Sequence, residues 1–245
     1  MKTTPRTAIF DIDGTLFRSS LLIELVEDLV REEVFPQEAT DAYSKEKTAW
    51  LERSGPYEQY IQAVVNAFMR HIKGVRYTEF MDVAQATIAE HRHHTYRYTR
   101  DLITTLKQNG YYLLAISQSP KGVLDEFCRS FGFDKVYGRL YELGPEDRFT
   151  GNVTDLHLIA NKANIVRRAA EKEKLNMHES VGVGDTEDDI PFLEQVQYPI
   201  CFNPNSTLFR HAKLNNWHIV VERKDVVYHI HTPKHAPQYV TDLTE

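Results

Sequence analysis

The chain alternates short apolar runs with longer stretches whose apolar residues recur every three or four positions. Four runs, Thr7–Phe10, Tyr111–Ile116, Ser180–Val183 and Pro199–Phe202, read as strands buried on both faces. Helical patterns separate them. Arg100–Gln108 stops at Asn109-Gly110, a good helix end. Ser119-Pro120 reads as a cap followed by a first helical residue, opening a helix to about Phe131. Leu158–Leu175 is a long amphipathic stretch rich in Ala, Lys and Glu. Strands alternating with helices predict an α/β fold built on a doubly wound, Rossmann-like parallel sheet.

Two segments interrupt the alternation. About 80 residues of helical periodicity separate the first strand from the helix at Arg100, too many for one crossover. They predict an inserted helical cap at residues 17–94, with residues 1–16 and 95–245 forming the core. The stretch Val136–Asp155 carries Gly138, Gly144-Pro145 and Gly151 between β-rich runs and reads as a hairpin. Beyond Glu222 the pattern is weak, with Val226–Ile230 as a candidate strand.

Composition narrows the function. The 245 residues are 42% hydrophobic and 26% charged, with a net charge of −6 and no basic run. Nucleic acid is therefore not an expected partner. No apolar run reaches the ~20 residues that span a bilayer, so no membrane partner is expected. The N-terminus MKTTPRTAIF lacks the apolar stretch of a secretory leader. Cys128 and Cys201 stand far apart in apolar surroundings and suggest reduced, buried thiols. A cytoplasmic protein is expected; the oligomeric state is not readable.

Four places can carry chemistry. In Ile9-Phe10-Asp11-Ile12-Asp13-Gly14-Thr15, two carboxylates sit two residues apart where an apolar strand runs out. Ligands of open α/β sheets bind beyond such strand ends. One carboxylate there can attack an electrophile, and the other can hold a proton for the leaving group. A calcium loop is excluded, since Gly14 is fourth and Leu22 twelfth from Asp11; a plain polar turn remains the competing reading. Ser117 closes the second strand, and its hydroxyl with the N–H groups of Gln118 and Ser119 can hold anionic oxygens. Lys162 can neutralise charge on Asp11 and on a phosphoryl group, although a lysine on a charged helix is, taken alone, far more often a solvated side chain. Val181-Gly182-Val183-Gly184 leads into Asp185, Glu187, Asp188 and Asp189. These acids suit a helix N-terminus, or a hard cation such as magnesium.

In order and position these four motifs resemble the haloacid dehalogenase superfamily: Asp11-Ile12-Asp13-Gly14-Thr15, then Ser117, Lys162, and Gly184-Asp185-Thr186-Glu187-Asp188-Asp189. The long helical insert resembles that of the phosphoserine-phosphatase-like subfamily. So does the stretch from Tyr198 through Asn203-Pro204-Asn205 to Trp217. The resemblance implies a phosphatase acting on a small phosphorylated metabolite through an aspartyl-phosphate on Asp11, with Asp13 as general acid/base. It implies Mg2+ held by Asp11, Asp185 and the Asp13 backbone carbonyl, with Asp189 behind the ligands. Ser117, Gln118, Ser119 and Lys162 would hold the phosphoryl group. A non-catalytic scaffold of the same fold, a dehalogenase and phosphoserine phosphatase proper are the alternatives.

Phosphoserine phosphatases of this kind carry a Glu nine residues after the nucleophile. Ser20 stands there in this chain, beside Ser19, and Glu24 is the nearest later acid. Phosphoserine is therefore not the expected substrate. His91, His93 and His94 read as a surface cluster rather than metal ligands. Trp50, Tyr57 and Tyr60 read as core, and Arg18 as a surface residue near the core–cap junction.

Overall fold

The computed structural model describes residues 4–154, 161–234 and 237–241. Eight strands form one sheet: β1 (Arg6–Phe10), β2 (Tyr112–Pro120), β3 (Lys135–Leu143), β4 (Phe149–Thr154), β5 (Asn176–Gly184), β6 (Tyr198–Phe202), β7 (His218–Arg223) and β8 (Val226–His231). Their order is β4-β3-β2-β1-β5-β6-β7-β8. The six inner strands run parallel, and β4 and β8 are added antiparallel at the two edges. The four predicted strands are all present. Two of them run longer than the apolar pattern suggests: β5 begins at Asn176, and β2 continues to Pro120.

Burial on both faces explains the unbroken apolar runs. Ala8 and Phe10 of β1 pack into one hydrophobic cluster, while Ile9 between them packs into the other. Register then sets the site. Phe10 lies level with Ala115 of β2 and with Val183 of β5. The residues that follow each strand therefore emerge side by side, and the Asp11 amide continues the ladder with a 2.9 Å bond to the Val183 carbonyl.

Between β1 and α6 (Arg97–Gln108) lie five helices: α1 (Leu21–Arg31), α2 (Glu38–Asp41), α3 (Ser44–Leu51), α4 (Tyr57–His71) and α5 (Tyr77–His91). The chain leaves and returns by paired segments: Phe17 bridges Thr95, and the Arg18 amide bonds the His94 carbonyl at 2.8 Å. At the far end the predicted hairpin, here β3 and β4, meets the same helices. The Gly74 amide donates to the Phe149 carbonyl at 2.8 Å, and Phe68, Phe80, Tyr141 and Phe149 pack ring against ring.

Helices α7 (Lys121–Phe131), α8 (Lys162–Glu173), α9 (Ile190–Leu193), α10 (Ser206–Leu214) and α11 (Gln238–Thr241) complete the chain. The amphipathic stretch read over Leu158–Leu175 is α8; residues 158–160 lie outside the described residues. The start of α7 corrects the sequence reading. Pro120 is still extended (φ −57°, ψ 132°) and pairs with Arg139 of β3, so it caps the helix instead of opening it. Cys128 and Cys201 are buried free thiols, as expected. Among the described residues no helix is long and apolar enough to cross a membrane.

Candidate active site

The first motif turns sharply after β1, and Gly14 makes this possible. Its φ is +78°, and a Cβ there would lie 2.2 Å from Asp185 Oδ2. Only glycine lets the backbone of the first motif approach the carboxylate of the fourth this closely. Gly184 plays the matching part on β5, where a Cβ would fall 2.6 Å from the Asp189 side chain.

These contacts bring the motifs together. Lys162 is the first residue of α8, placed by Asn161, whose side chain caps the helix by accepting from the Ala163 amide at 2.9 Å. The Lys162 ammonium donates to Asp11 Oδ1 at 2.6 Å and to Asp189 Oδ1 at 2.5 Å. All three groups are buried. Asp189 Oδ2 accepts from the amides of Asp185 (2.9 Å) and Thr186 (3.0 Å). Asp189 is thus fully committed, to Lys162 on one side and to the turn that carries Asp185 on the other. Thr15 Oγ1 donates to Asp185 Oδ1 at 3.1 Å.

Asp13 is held differently. Its Oδ2 accepts from the hydroxyls of Ser117 (2.5 Å) and Ser119 (2.8 Å), and its Oδ1 from the Leu21 amide at the start of α1 (2.6 Å). Ser117 Oγ in turn accepts from the Ser119 amide at 2.9 Å. Both serines therefore face Asp13, and the Ser119 amide is already engaged. Ser119 does not cap α7, because β2 continues through Ser119 to Pro120 and Pro120 is the residue that precedes the helix.

Two buried carboxylates, Asp11 and Asp189, share one ammonium, with the half-buried Asp185 beside them. Burial raises Asp11 to about 7; the Lys162 charge opposes the rise, and Asp189 and Asp13 add to it. Burial, and then the charge of Asp11, raise Asp185 well above the ordinary carboxyl range. For Lys162, burial alone would lower the pKa, but Asp11 and Asp189 raise it on balance, so the ammonium stays charged. Oxygens of Asp11, Asp185 and Asp189 lie within 4.8 Å of one another. Because Asp189 is committed elsewhere, Asp11 and Asp185 are the pair fitted to a hard divalent cation. Such a cation would relieve the repulsion that raises both groups.

A cleft of about 330 Å³ opens over these groups. Asp11, Asp13, Gln118, Ser119, Lys162 and Asp185 line its floor; Ser20 and Leu22 of α1, with Tyr57, Ile61 and Val65 of α4, line its wall. Tyr57 packs against the core, as expected, and lines the cleft as well. Its ring packs on Trp50 and Tyr60, but it also faces the cleft, where burial and then Asp13 and Asp185 keep its hydroxyl protonated. The α4 wall was not read from sequence, since an aromatic and apolar helix face looks the same whether it meets a core or a cleft.

The remaining candidates lie outside the cleft. Arg18 is exposed over the Tyr96 ring. Glu24 lies 3.8 Å from His91 and does not line the cleft. His91 and His94 meet through their Nδ1 atoms at 3.4 Å. Asp28 and Glu90 lie beside His91, but Asp28 is already satisfied by Thr87 (2.6 Å) and Arg31 (2.8 Å).

Comparison with known proteins adds the family. The haloacid dehalogenase-like hydrolases match residues 8–194. A histidinol-phosphatase of Neisseria meningitidis serogroup C (strain 8013) is 24% identical over 225 residues, covering 87% of this chain and 97% of that protein. A phosphoserine phosphatase of Archaeoglobus fulgidus is 24% identical over 207 residues, covering 83% of this chain and 54% of its own length. A solved phosphoserine phosphatase structure, with an analogue of the phospho-aspartyl intermediate, has the same fold. It superposes with a TM-score of 0.60 at 19% identity, covering 91% of this chain and 96% of that one.

Proposed function

Because the chain belongs to the haloacid dehalogenase-like hydrolases, we propose that it is a magnesium-dependent phosphatase in which Asp11 is the nucleophile and Asp13 the general acid/base. The coarser statement, a phosphatase acting on small phosphoesters, follows from the family and from its phosphatase relatives. The observation that carries the finer reading is the meeting of Asp11 and Asp185, at the ends of the adjacent strands β1 and β5, with Lys162 at the start of α8. Lys162 lies 2.6 Å from Asp11, and Asp185 lies close enough to forbid a Cβ on Gly14.

Magnesium, when bound by Asp11 and Asp185, offsets the repulsion between the nucleophile and a phosphate dianion. Lys162, bonded to Asp11 and to Asp189, would work in the same direction and hold the carboxylate still. Asp11 attacks phosphorus, and the P–O bond to the leaving group breaks, leaving an aspartyl-phosphate. Asp13 gives a proton to the departing alkoxide and later takes one from the water that hydrolyses the intermediate. The Leu21 amide at the start of α1 holds Asp13, so the segment that carries part of the cleft wall also positions the acid. Ser117 and Ser119 hold Asp13 before substrate binds, and their hydroxyls can rotate onto phosphoryl oxygens.

Residues 17–94 serve as a cap that excludes bulk water and reads the leaving group, over a core of residues 1–16 and 95–245. The buried, unpaired cysteines support a cytoplasmic setting. The test is phosphate release from p-nitrophenyl phosphate: turnover with magnesium and none in excess chelator supports the reading, and full turnover in chelator contradicts it.

A further inference from the structure

The leaving group meets a wall with a distinct charge pattern. Tyr57, Glu58, Ile61, Gln62 and Val65 all line the cleft. Their spacing places them along one face of α4. Leu22 extends the apolar part of this wall from α1. Beside it stand two acids, Glu58 on α4 and Asp188 in the turn after β5. Neither makes a described hydrogen bond or ion pair with any other side chain. Both are solvent-exposed and near enough to feel each other: partial desolvation, and then the charges of Asp188 and Glu187, raise the Glu58 carboxyl.

Cations are scarce. Among the described residues lining the cleft, Lys162 is the only one, and it is spent on Asp11 and Asp189. Arg139 comes to the edge only through Gln118, whose side-chain oxygen it holds at 2.6 Å. A leaving group bearing a carboxylate would thus find no partner and two unpaired acids. An ammonium would find a countercharge, with apolar side chains beside it for the rest of the molecule.

We infer that the preferred substrates are phosphomonoesters of amino alcohols that carry no carboxylate, with Glu58 receiving the ammonium and Leu22, Ile61 and Val65 receiving the apolar body. This rests on the phosphatase reading above and extends it to the substrate. It also gives the missing acid at position 20 a physical sense. Ser20 brings no countercharge, and the acid is supplied instead by Glu58 of α4.

The test uses three substrates that differ by one group each, at saturating magnesium: 2-aminoethyl phosphate, 2-hydroxyethyl phosphate and phosphoserine. The kcat/KM for 2-aminoethyl phosphate should exceed both others by about tenfold or more, the scale of one charge-assisted hydrogen bond. Glu58→Gln should collapse the aminoethyl-to-hydroxyethyl ratio toward one, mainly through KM, and Glu58→Asp should retain part of it. A general loss of activity leaves that ratio unmoved, so the readout is specific to the ammonium. Phosphoserine hydrolysed as well as 2-aminoethyl phosphate, or a ratio unchanged by Glu58→Gln, overturns the inference. p-Nitrophenyl phosphate serves as the separate control. Its failure to turn over with magnesium would remove the phosphatase reading itself, whereas its turnover with no preference for the amine removes only the substrate assignment.

Discussion

Lys162→Met tests the electrostatic logic of the site without touching the nucleophile. Methionine fills much of the same space but brings no charge. The residues left behind, Asp11 and Asp189, are 5% and 0% exposed, and Lys162 itself is 6% exposed. Removing one partner of a buried ion pair costs about 3–5 kcal/mol, because the other charge stays buried without compensation. For a chain of 245 residues, each kcal/mol moves Tm by roughly 2–4 °C, so the expected drop is roughly 6–20 °C in chelator at about pH 7.5. The deficit should depend on pH. The Asp11 pKa, about 7 with Lys162 present, lies above the ~3.9 of an unfolded carboxyl. A carboxyl raised in the folded state favours folding at low pH and loses that contribution as pH rises through its folded pKa. Lys162 opposes the rise, so its removal pushes Asp11 higher still. At about pH 5.5 the variant should fold with Asp11 protonated, so the Asp11 share of the deficit should vanish while the share left by Asp189, which loses the same ammonium, remains. Urea and thermal unfolding across this range, in chelator, are the assays. A loss under about 1 kcal/mol at neutral pH, against the 3–5 expected, or a loss independent of pH, would refute the reasoning.

The other predictions concern single features of the site. Gly14→Ala should weaken magnesium binding sharply while the chain still folds, because its Cβ would overlap the Asp185 carboxylate and push it away; calorimetric titration of the metal checks this, and wild-type affinity would count against it. Magnesium should raise the Tm of the metal-free protein more at neutral pH than near pH 5, since Asp11 and Asp185 are raised by burial and repel each other only when ionised; differential scanning calorimetry at the two pH values decides it. Asp13→Asn should slow alkyl phosphates more than p-nitrophenyl phosphate, by up to ~10²–10⁴-fold, because a poor leaving group needs the proton more. Equal losses on both substrates would reduce Asp13 to a shaping role.

The site was legible in the sequence to the extent that it sits at strand ends. Asp11 and Asp185 each follow an apolar run, and the parallel pairing of β1 with β5 turns that local feature into proximity. Lys162 was legible only by order, and its contact with Asp11 depends on where α8 starts, which Asn161 fixes. One feature departs from the sequence reading and one adds to it, because tertiary contacts outweigh local preference. Ser119-Pro120 has the chemistry of a helix start, but β2 continues through both residues and β3 takes Pro120 into the sheet. Tyr57 has the look of a core aromatic, and only the packing of α4 over the strand ends turns it toward the cleft. Strand β7 escaped notice because only its first three residues are buried, while Val221, Glu222 and Arg223 face outward in part.

The most direct measurement traps the covalent intermediate. Protein turning over an alkyl phosphate with magnesium is quenched in acid, digested and examined by mass spectrometry. The account predicts a phosphoryl group on the peptide carrying Asp11, lost when the sample is chased without substrate and absent from Asp11→Asn. Steady turnover with no adduct on Asp11, or wild-type activity in Asp11→Asn, would contradict it.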